Sequence, residues 1–280
     1  MNHLKQLETM VQELLQEAKN QGASAAEAAV SGDQGLSVTV RLGEIETVEQ
    51  THDQGLGVTV YLGQHKGSAS TTDFSTSAIK ETVSKACTIA RYTSEDPYTG
   101  LADPDRMALG YPDLDLYHPW DISVEQAAEM ALSCEQAARD TDSRITNSEG
   151  ATLNTHSGSF IYGNTHGFVG GYPFSRHSLS CMVMAEEGES MQRDYWYSSD
   201  RLPDRLDDPG SIGREAANRT IRKLHARKLG TCQAPVIFRA DIAPGLLMGL
   251  VSAASGHAQY RKSSFLLEAL GQQLFPDWVR

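Results

Sequence analysis

The sequence predicts an α+β protein made of two helix–antiparallel sheet–helix units, followed by the start of a third, β-rich domain. Three observations lead to this fold class. Amphipathic helical patterns bracket two stretches of alternating apolar residues, the connections within those stretches are too short for crossover helices, and a proline-rich segment separates the two patterns. At 280 residues the chain is longer than one hydrophobic core usually serves, so several domains are expected.

The first domain is predicted to span residues 1–95. A helix over 4–20 is indicated by apolar residues that recur every three or four positions. After Gly22 the period changes to two, which predicts an antiparallel meander. Its four short strands are expected at 27–30, 36–40, 45–48 and 56–60. A second helix over Ser77–Tyr92 closes this domain.

The meander contains a short internal sequence repeat. The stretch Asp33–Val40 is closely similar to Asp53–Val60, twenty positions later. A period seen only twice cannot build a solenoid, so we interpret it as a turn-plus-strand unit used twice within one sheet.

Residues 96–120 hold four prolines with several Asp and Gly, which predicts a linker laid over the surface. The central domain, 121–227, begins at Ser123 with a capping-box pattern for a third helix. A long β region follows over 144–199, and Asp208-Pro209 predicts the start of a helix that reaches about His225.

The third domain is predicted to begin at 228 and to be incomplete within the sequence. A short strand is expected over Ala234–Phe238 and a helical stretch over about Gly245–Ala258. Some fifty residues are too few to complete a core of their own.

The charge balance excludes two classes of direct partner. Thirty-six acidic residues outweigh 24 basic ones, giving a formal charge of −12, which repels nucleic acid and anionic lipid. The N-terminus has no apolar targeting pattern and no apolar stretch is long enough to cross a bilayer. The four cysteines stand far apart, which is typical of buried thiols in a reduced, cytoplasmic compartment. We therefore expect a cytoplasmic protein.

A metal site in the β region has weak support. Imidazole and thiolate groups, which bind zinc, occur at His156, His166, His177 and Cys181. In an extended strand, however, the last two would lie about 13 Å apart, too far for one tetrahedral ion. Structural hydrogen bonding is the preferred interpretation, and a metal role is the alternative.

Other catalytic and binding motifs are missing or ambiguous. The sequence has no Gly-x-Ser-x-Gly nucleophile elbow, no P-loop and no dinucleotide-binding glycine pattern. The acidic pairs Glu186-Glu187 and Asp207-Asp208 are interpreted as solvated carboxylates or helix caps. The run Asp194–Tyr197 should send Tyr195 and Tyr197 to one face of a strand and Trp196 to the other, with core packing on one side and an interface on the other.

Stretches along the whole chain resemble one protein family. They are Arg41–Glu46, Gly67–Asp73, Ala90–Thr93, Pro112–Leu116, Arg144–Asn147, Gly163–Gly167, Arg176–Ser180 and Tyr260–Leu266. By these segments, in this order, the chain resembles the PmbA (TldE) branch of the TldD/PmbA metallopeptidase family, which is also described as modulator of DNA gyrase. The resemblance implies a subunit of a heteromeric cytoplasmic zinc protease that degrades or matures small or unfolded peptides.

In such a complex only the TldD-like partner would hold the zinc ion. Its third domain carries a His-Glu-x-x-x-His helix, and alignment of the Tyr260–Ser263 segment puts those three positions at Met248, Gly249 and Ala253 here. These side chains can neither bind zinc nor act as a general base. The resemblance therefore implies no catalytic, metal-binding or cofactor-binding residue in this chain, with catalysis supplied by the partner.

The family also implies a longer third domain. Its members continue well past Arg280, so we expect this chain to lack much of the C-terminal domain. Two alternatives to the non-catalytic subunit stay open: an autonomous metal-dependent hydrolase that uses His156, His166 and His177, and a regulatory module that presents a sheet edge to extended peptides.

Overall fold

The computed structural model describes residues 2–108 and 110–278 and confirms the α+β class. The described residues form two compact units, one ending at Ala226 and the other beginning at Arg227. In the first, six strands make one curled antiparallel sheet in the order β3-β2-β1-β4-β5-β6. The strands are β1 Ala25–Arg41, β2 Glu44–Leu62, β3 His65–Thr71, β4 Ile145–Asn164, β5 Val169–Glu187 and β6 Ser190–Asp200.

Four helices cover one face of this sheet. They are α1 Asn2–Asn20, α2 Thr76–Tyr92, α3 Val124–Arg139 and α4 Pro209–Arg222. Along β1, Ala26 and Val30 are buried in a core with α1 and α2, whereas Val38 and Val40 are buried in a second core with α3 and α4. Because these four residues share one face of the strand, all four helices lie on the same side of the sheet.

The predicted helices begin and end close to where the sequence placed them. The capping box at Ser123 is present: its hydroxyl accepts from the backbone N–H of Gln126, whose side chain accepts from the N–H of Ser123. Asp208 caps α4 by accepting from the N–H of Ser211 at 2.8 Å. These local hydrogen bonds satisfy first-turn donors that would otherwise lack partners.

The prediction of four short strands in the first unit is wrong. Asp33–Gly35 and Asp53–Gly55, predicted as turns, lie inside the continuous strands β1 and β2, and Asp33 pairs with Asp53 across the ladder. The two repeated stretches, Asp33–Val40 and Asp53–Val60, thus lie in neighbouring strands of one hairpin. Glycine within this sheet leaves room for a neighbouring side chain. A Cβ at Gly158 would collide with the Asp33 carboxylate.

The β1–β2 hairpin is anchored to α3 through its turn. Leu42 and Gly43 both have positive φ, as a two-residue type I′ turn requires. Their backbone N–H groups donate to the two carboxylate oxygens of Glu135 at 2.8 and 2.9 Å. Glu135 is 1% exposed, so the carboxylate and both turn amides depend on one another for hydrogen bonding.

The proline-rich linker lies along the sheet. Its carbonyl at Leu116 accepts from the N–H of Ser175, at 2.9 Å, and the N–H of His118 donates to the Ser175 hydroxyl. This half of β5 has β4 on one side and no strand on the other, since its pairing with β6 begins at His177. The linker therefore covers a sheet edge that would otherwise be open.

The second unit contains α5 Pro244–Ala254 and α6 Gly256–Tyr260. The two helices replace the single helical stretch predicted there, because Ser255 is extended between them and caps α6. The strand predicted over Ala234–Phe238 is not formed, and within the described part of this unit there is no strand to pair with it. None of the described helices is long and apolar enough to span a bilayer.

Candidate functional site

The helix α5 carries the three positions that the resemblance singles out. Met248 is exposed, Gly249 follows it, and Ala253 is buried within the unit. The Ala253 carbonyl accepts from the Gln259 side chain at 2.8 Å and from the Ser264 hydroxyl at 2.6 Å. A thioether, a hydrogen atom and a methyl group offer neither the imidazole pair nor the carboxylate that a catalytic zinc site uses. These residues do not fit a zinc ion.

The histidines of the β region are held apart by separate partners. His177 is fully buried, with Nδ1 2.8 Å from the Thr155 hydroxyl and Nε2 2.9 Å from the His118 carbonyl. The carbonyl can only accept, so Nε2 donates to it, and the Thr155 hydroxyl occupies Nδ1. Both ring nitrogens are used in hydrogen bonds, and neither is available to a metal.

The two other histidines have different surroundings. His156 places Nε2 3.3 Å from an Asp33 oxygen and its ring against Phe174. His166 lies in the β4–β5 turn, where its N–H donates to the Asn164 side chain. Over residues 2–108 and 110–278, no three His, Cys, Asp or Glu side chains are grouped to hold a metal ion.

Cys181 lies on the helix side of the sheet, the same side as His177 but beyond Leu179 along β5. It is buried beside Cys134 of α3, and a hydrogen bond to that thiol together with burial raises the pKa of Cys181 far above its usual value. A protonated, buried thiol is a poor nucleophile and a poor metal ligand. The structure thus does not bring His156, His166, His177 and Cys181 together.

The sheet face opposite the helices carries exposed polar and aromatic side chains. The pleat directs Phe160 and Tyr172 to this face, with Tyr195 and Tyr197 farther along it. All four rings are between 37% and 48% exposed. Tyr195 and Tyr197 stack with centroids 6.2 Å apart, while Trp196 packs against the helix-side core under the Arg219 guanidinium. The predicted division of this aromatic run between two faces is confirmed.

A carboxylate that sequence reasoning missed lies on the same open face. Glu27 accepts hydrogen bonds from Tyr61 at 2.8 Å and from Tyr162 at 2.9 Å, which joins β1 to both of its neighbours. Burial first, and then the hydrogen bond to Glu27, raise the pKa of Tyr61; burial and the hydrogen bond to Glu27 also raise the pKa of Tyr162, against a lowering effect of Asn164. The alternation of Ala26, Glu27 and Ala28 was the available signal, since it directs the carboxylate away from the core.

The outer side of β2 is another feature that motifs could not locate. Its second half pairs with β3 from Leu56 to Leu62, but its first half, Glu44–Gly55, pairs only with β1. Residues 44–54 are all exposed. The chain thus presents a free strand edge beside an open sheet face.

Family models match most of the chain. The three models describe domain 1, the central domain and the C-terminal domain of the PmbA/TldA metallopeptidases, and they match residues 26–90, 117–224 and 231–280. All three domains of one family therefore follow one another in their expected order.

Curated relatives agree with the family models. Metalloprotease PmbA of Escherichia coli O157:H7 is 48% identical over 92% of this chain and 57% of its own length. A homologue of Metalloprotease PmbA from Haemophilus influenzae is 47% identical over 94% of this chain and 58% of its own. The chain spans a little under three fifths of the length of these two relatives.

Solved structures share the fold. A candidate modulator of DNA gyrase from Bacteroides thetaiotaomicron superposes with a TM-score of 0.85 at 27% identity, over 92% of this chain and 59% of its own. TldE from Thermococcus kodakarensis gives a TM-score of 0.70 at 16% identity, over 92% of this chain and 57% of its own, which shows likeness of fold alone.

Proposed function

Because this chain belongs to the PmbA/TldD metallopeptidase family, we propose that it is the PmbA-like, non-metal-binding subunit of a heteromeric cytoplasmic protease. The observation that carries the proposal is the donor set on α5. Met248, Gly249 and Ala253 supply no zinc ligand and no general base at the positions where a TldD-like subunit would have them. Zinc and the water it activates would belong to that partner.

The role of this chain would be to complete the peptide chamber. Its open sheet face offers half-exposed aromatic rings and hydroxyl groups, which can hold unfolded or small peptides without selecting one sequence. The helices lie on the other face, so this surface is available to a neighbouring subunit or a substrate. The substrate class and the two-subunit assembly are parts of the proposal.

The arrangement of the histidines argues against the autonomous hydrolase. His177 has both ring nitrogens engaged, so a site built on it would require breaking buried hydrogen bonds, and His156 is directed at Asp33 instead. The peptide-binding alternative gains support from the free edge of β2.

Co-expression with a TldD-like subunit tests the proposal. We expect the tagged chain to retain that subunit, and the complex to hold zinc and to cleave an unstructured peptide until a chelator is added. The chain purified alone should hold no stoichiometric zinc and show no cleavage.

The contrary result is equally concrete. About one zinc ion per isolated chain, lost when His156, His166 or His177 is replaced by Ala, would establish the autonomous hydrolase. Peptide cleavage by the isolated chain after zinc is added would also support the autonomous hydrolase. A Cys232→Ala variant serves as a control for adventitious binding, because this thiol is exposed.

A further inference from the structure

The first half of β2 has unpaired backbone groups along its outer side. In an antiparallel ladder, alternate N–H and C=O groups point away from the one strand that is paired. Between Glu44 and Gly55 that one strand is β1. In the described parts of the chain, no loop or side chain donates to or accepts from this outer backbone.

Several devices that protect an edge are missing here, although the segment carries charges and a β-bulge at Glu46. Natural edge strands are commonly blocked by Lys, by Pro or by a covering loop. Residues 44–55 contain neither Lys nor Pro, whereas the linker covers the comparable edge of β5. The same protein therefore covers one open edge and leaves the other free.

The free edge is strongly acidic. It carries Glu44, Glu46, Glu49 and Asp53 and no Lys or Arg. Of these four, Glu46 is paired, at 3.4 Å from Arg41, and the described residues give the others no ion pair. This charge would repel a second copy of the same edge and attract a cationic strand.

A further negative group lies one strand inward. Asp33 is the direct partner of Asp53, and its Oδ1 atom is buried without a hydrogen bond, 3.3 Å from the His156 ring. Like charges opposite one another destabilise a ladder. A basic side chain placed beside Asp53 would relieve this repulsion.

The two faces of the edge differ in chemistry. Glu49 and Asp53 share the open face, with Thr51 between them, whereas Val48 and His52 point to the helix side. Ile45 and Val48 are 52% and 44% exposed, so apolar surface is also present on that side. An added strand would meet carboxylates on one face and apolar groups on the other.

We propose that the outer edge of β2 over Glu44–Gly55 binds an extended peptide segment that alternates basic and apolar residues, by strand addition. Main-chain hydrogen bonds attract an extended peptide to the edge whatever its register. The carboxylates select peptides with cationic side chains. The site needs no metal and no second subunit, so it stands apart from the proposed subunit role.

A designed peptide tests both parts of this proposal. It is a capped, fluorescent segment of the length of the free edge, in which Lys alternates with Val or Thr. We expect saturable binding to the folded chain at low salt, with hydrogen exchange slowed over residues 44–55. The same peptide N-methylated at alternate residues should not bind, because it can no longer donate to the edge.

Charge reversal on the protein isolates the electrostatic part. We expect Glu49→Lys with Asp53→Lys to weaken binding about tenfold, since two exposed pairs become repulsive. The matched control, Glu13→Lys with Glu129→Lys, changes net charge equally on exposed helix positions and should leave affinity within about twofold. Circular dichroism checks that each variant is folded.

Three results would overturn the proposal: no binding of the basic peptide at low salt, equal binding of the N-methylated peptide, or equal weakening by the control pair. The first would mean that the carboxylates keep strands away from this edge. The others would mean that the peptide binds elsewhere or through net charge alone.

Discussion

Glu135 shows how one side chain can decide the position of a hairpin. The carboxylate is buried on α3. Its two oxygens accept hydrogen bonds from the two backbone N–H groups of the β1–β2 turn. The family-like segment Arg41–Glu46 spans this turn. The positive φ of the turn favours Gly at position 43, and the backbone N–H groups of the turn are held by a helix that lies some ninety positions later in the chain.

We expect Glu135→Gln to destabilise the protein by about 2 kcal/mol. The glutamine oxygen can accept from one turn amide, but its NH₂ group faces the other donor and leaves it without an acceptor. Urea denaturation measures the loss. Glu129→Gln, on an exposed position of the same helix, is the control and should change stability by less than about 0.5 kcal/mol. Equal effects of the two substitutions would contradict the anchoring role.

At the scale of elements, β3 and α2 pack closely because Gly67 of β3 has no side chain. A Cβ at Gly67 would run into the backbone of Ala86 and Ala90 on α2. The helix therefore approaches the edge strand more closely than any other residue would allow.

Gly67→Ala is expected to cost about 3 kcal/mol, because backbone atoms of α2 must move to admit the methyl group. Gly55→Ala is the matched control, since a Cβ at that strand position meets nothing within 4 Å. Thermal unfolding should separate the two variants clearly. A stable Gly67→Ala protein would show that α2 can shift at little cost.

Sequence patterns located the helices because each has its own apolar stripe and, at Ser123 and Asp208, its own cap. The strands were divided wrongly because Gly and Asp are turn-forming residues, and their role inside β1 depends on contacts with other strands. The Glu27 cluster was out of reach for the same reason. Glu27 and Tyr162 are 135 positions apart and meet only through strand register.

The three positions in the third domain were predicted in a different way. Met248, Gly249 and Ala253 were named from a resemblance, and the structure adds that they lie on one helix, α5. That they bind no zinc is a prediction from their side-chain chemistry. The free edge of β2 required the pairing of whole strands and could not be read from residues 44–55 by themselves.

For the molecule as a whole, acid should be the destabilising condition. Hydrogen bonds from Arg144 lower the pKa of Asp142 to about 2, and those from His225 and Arg144 lower the pKa of Glu187. Burial alone would raise the pKa of Asp194, but Lys223, the Tyr195 N–H and Arg219 together hold it below its usual value.

A depressed carboxyl pKa contributes stability above the unfolded value, and the contribution is lost as pH falls through the folded value. We therefore expect stability to fall between about pH 4 and pH 2. Asp142→Asn should be less stable than the parent at pH 7, and the two proteins should converge near pH 2. Urea midpoints across this range measure the difference, and a gap that stays constant with pH would rule out the Asp142 contribution.

The order in which β1 finds its two neighbours has a consequence for biosynthesis. β1 pairs with β2 through a tight turn, but its other edge pairs with β4, and the whole segment 42–144 is made between the two strands. At about 5–20 residues per second, a ribosome needs roughly 5–20 s to supply that segment. Throughout this interval the emerging chain displays an unpaired inner edge on β1, and its slow, long-range closure makes the nascent protein a natural client for chaperones that shield exposed strands.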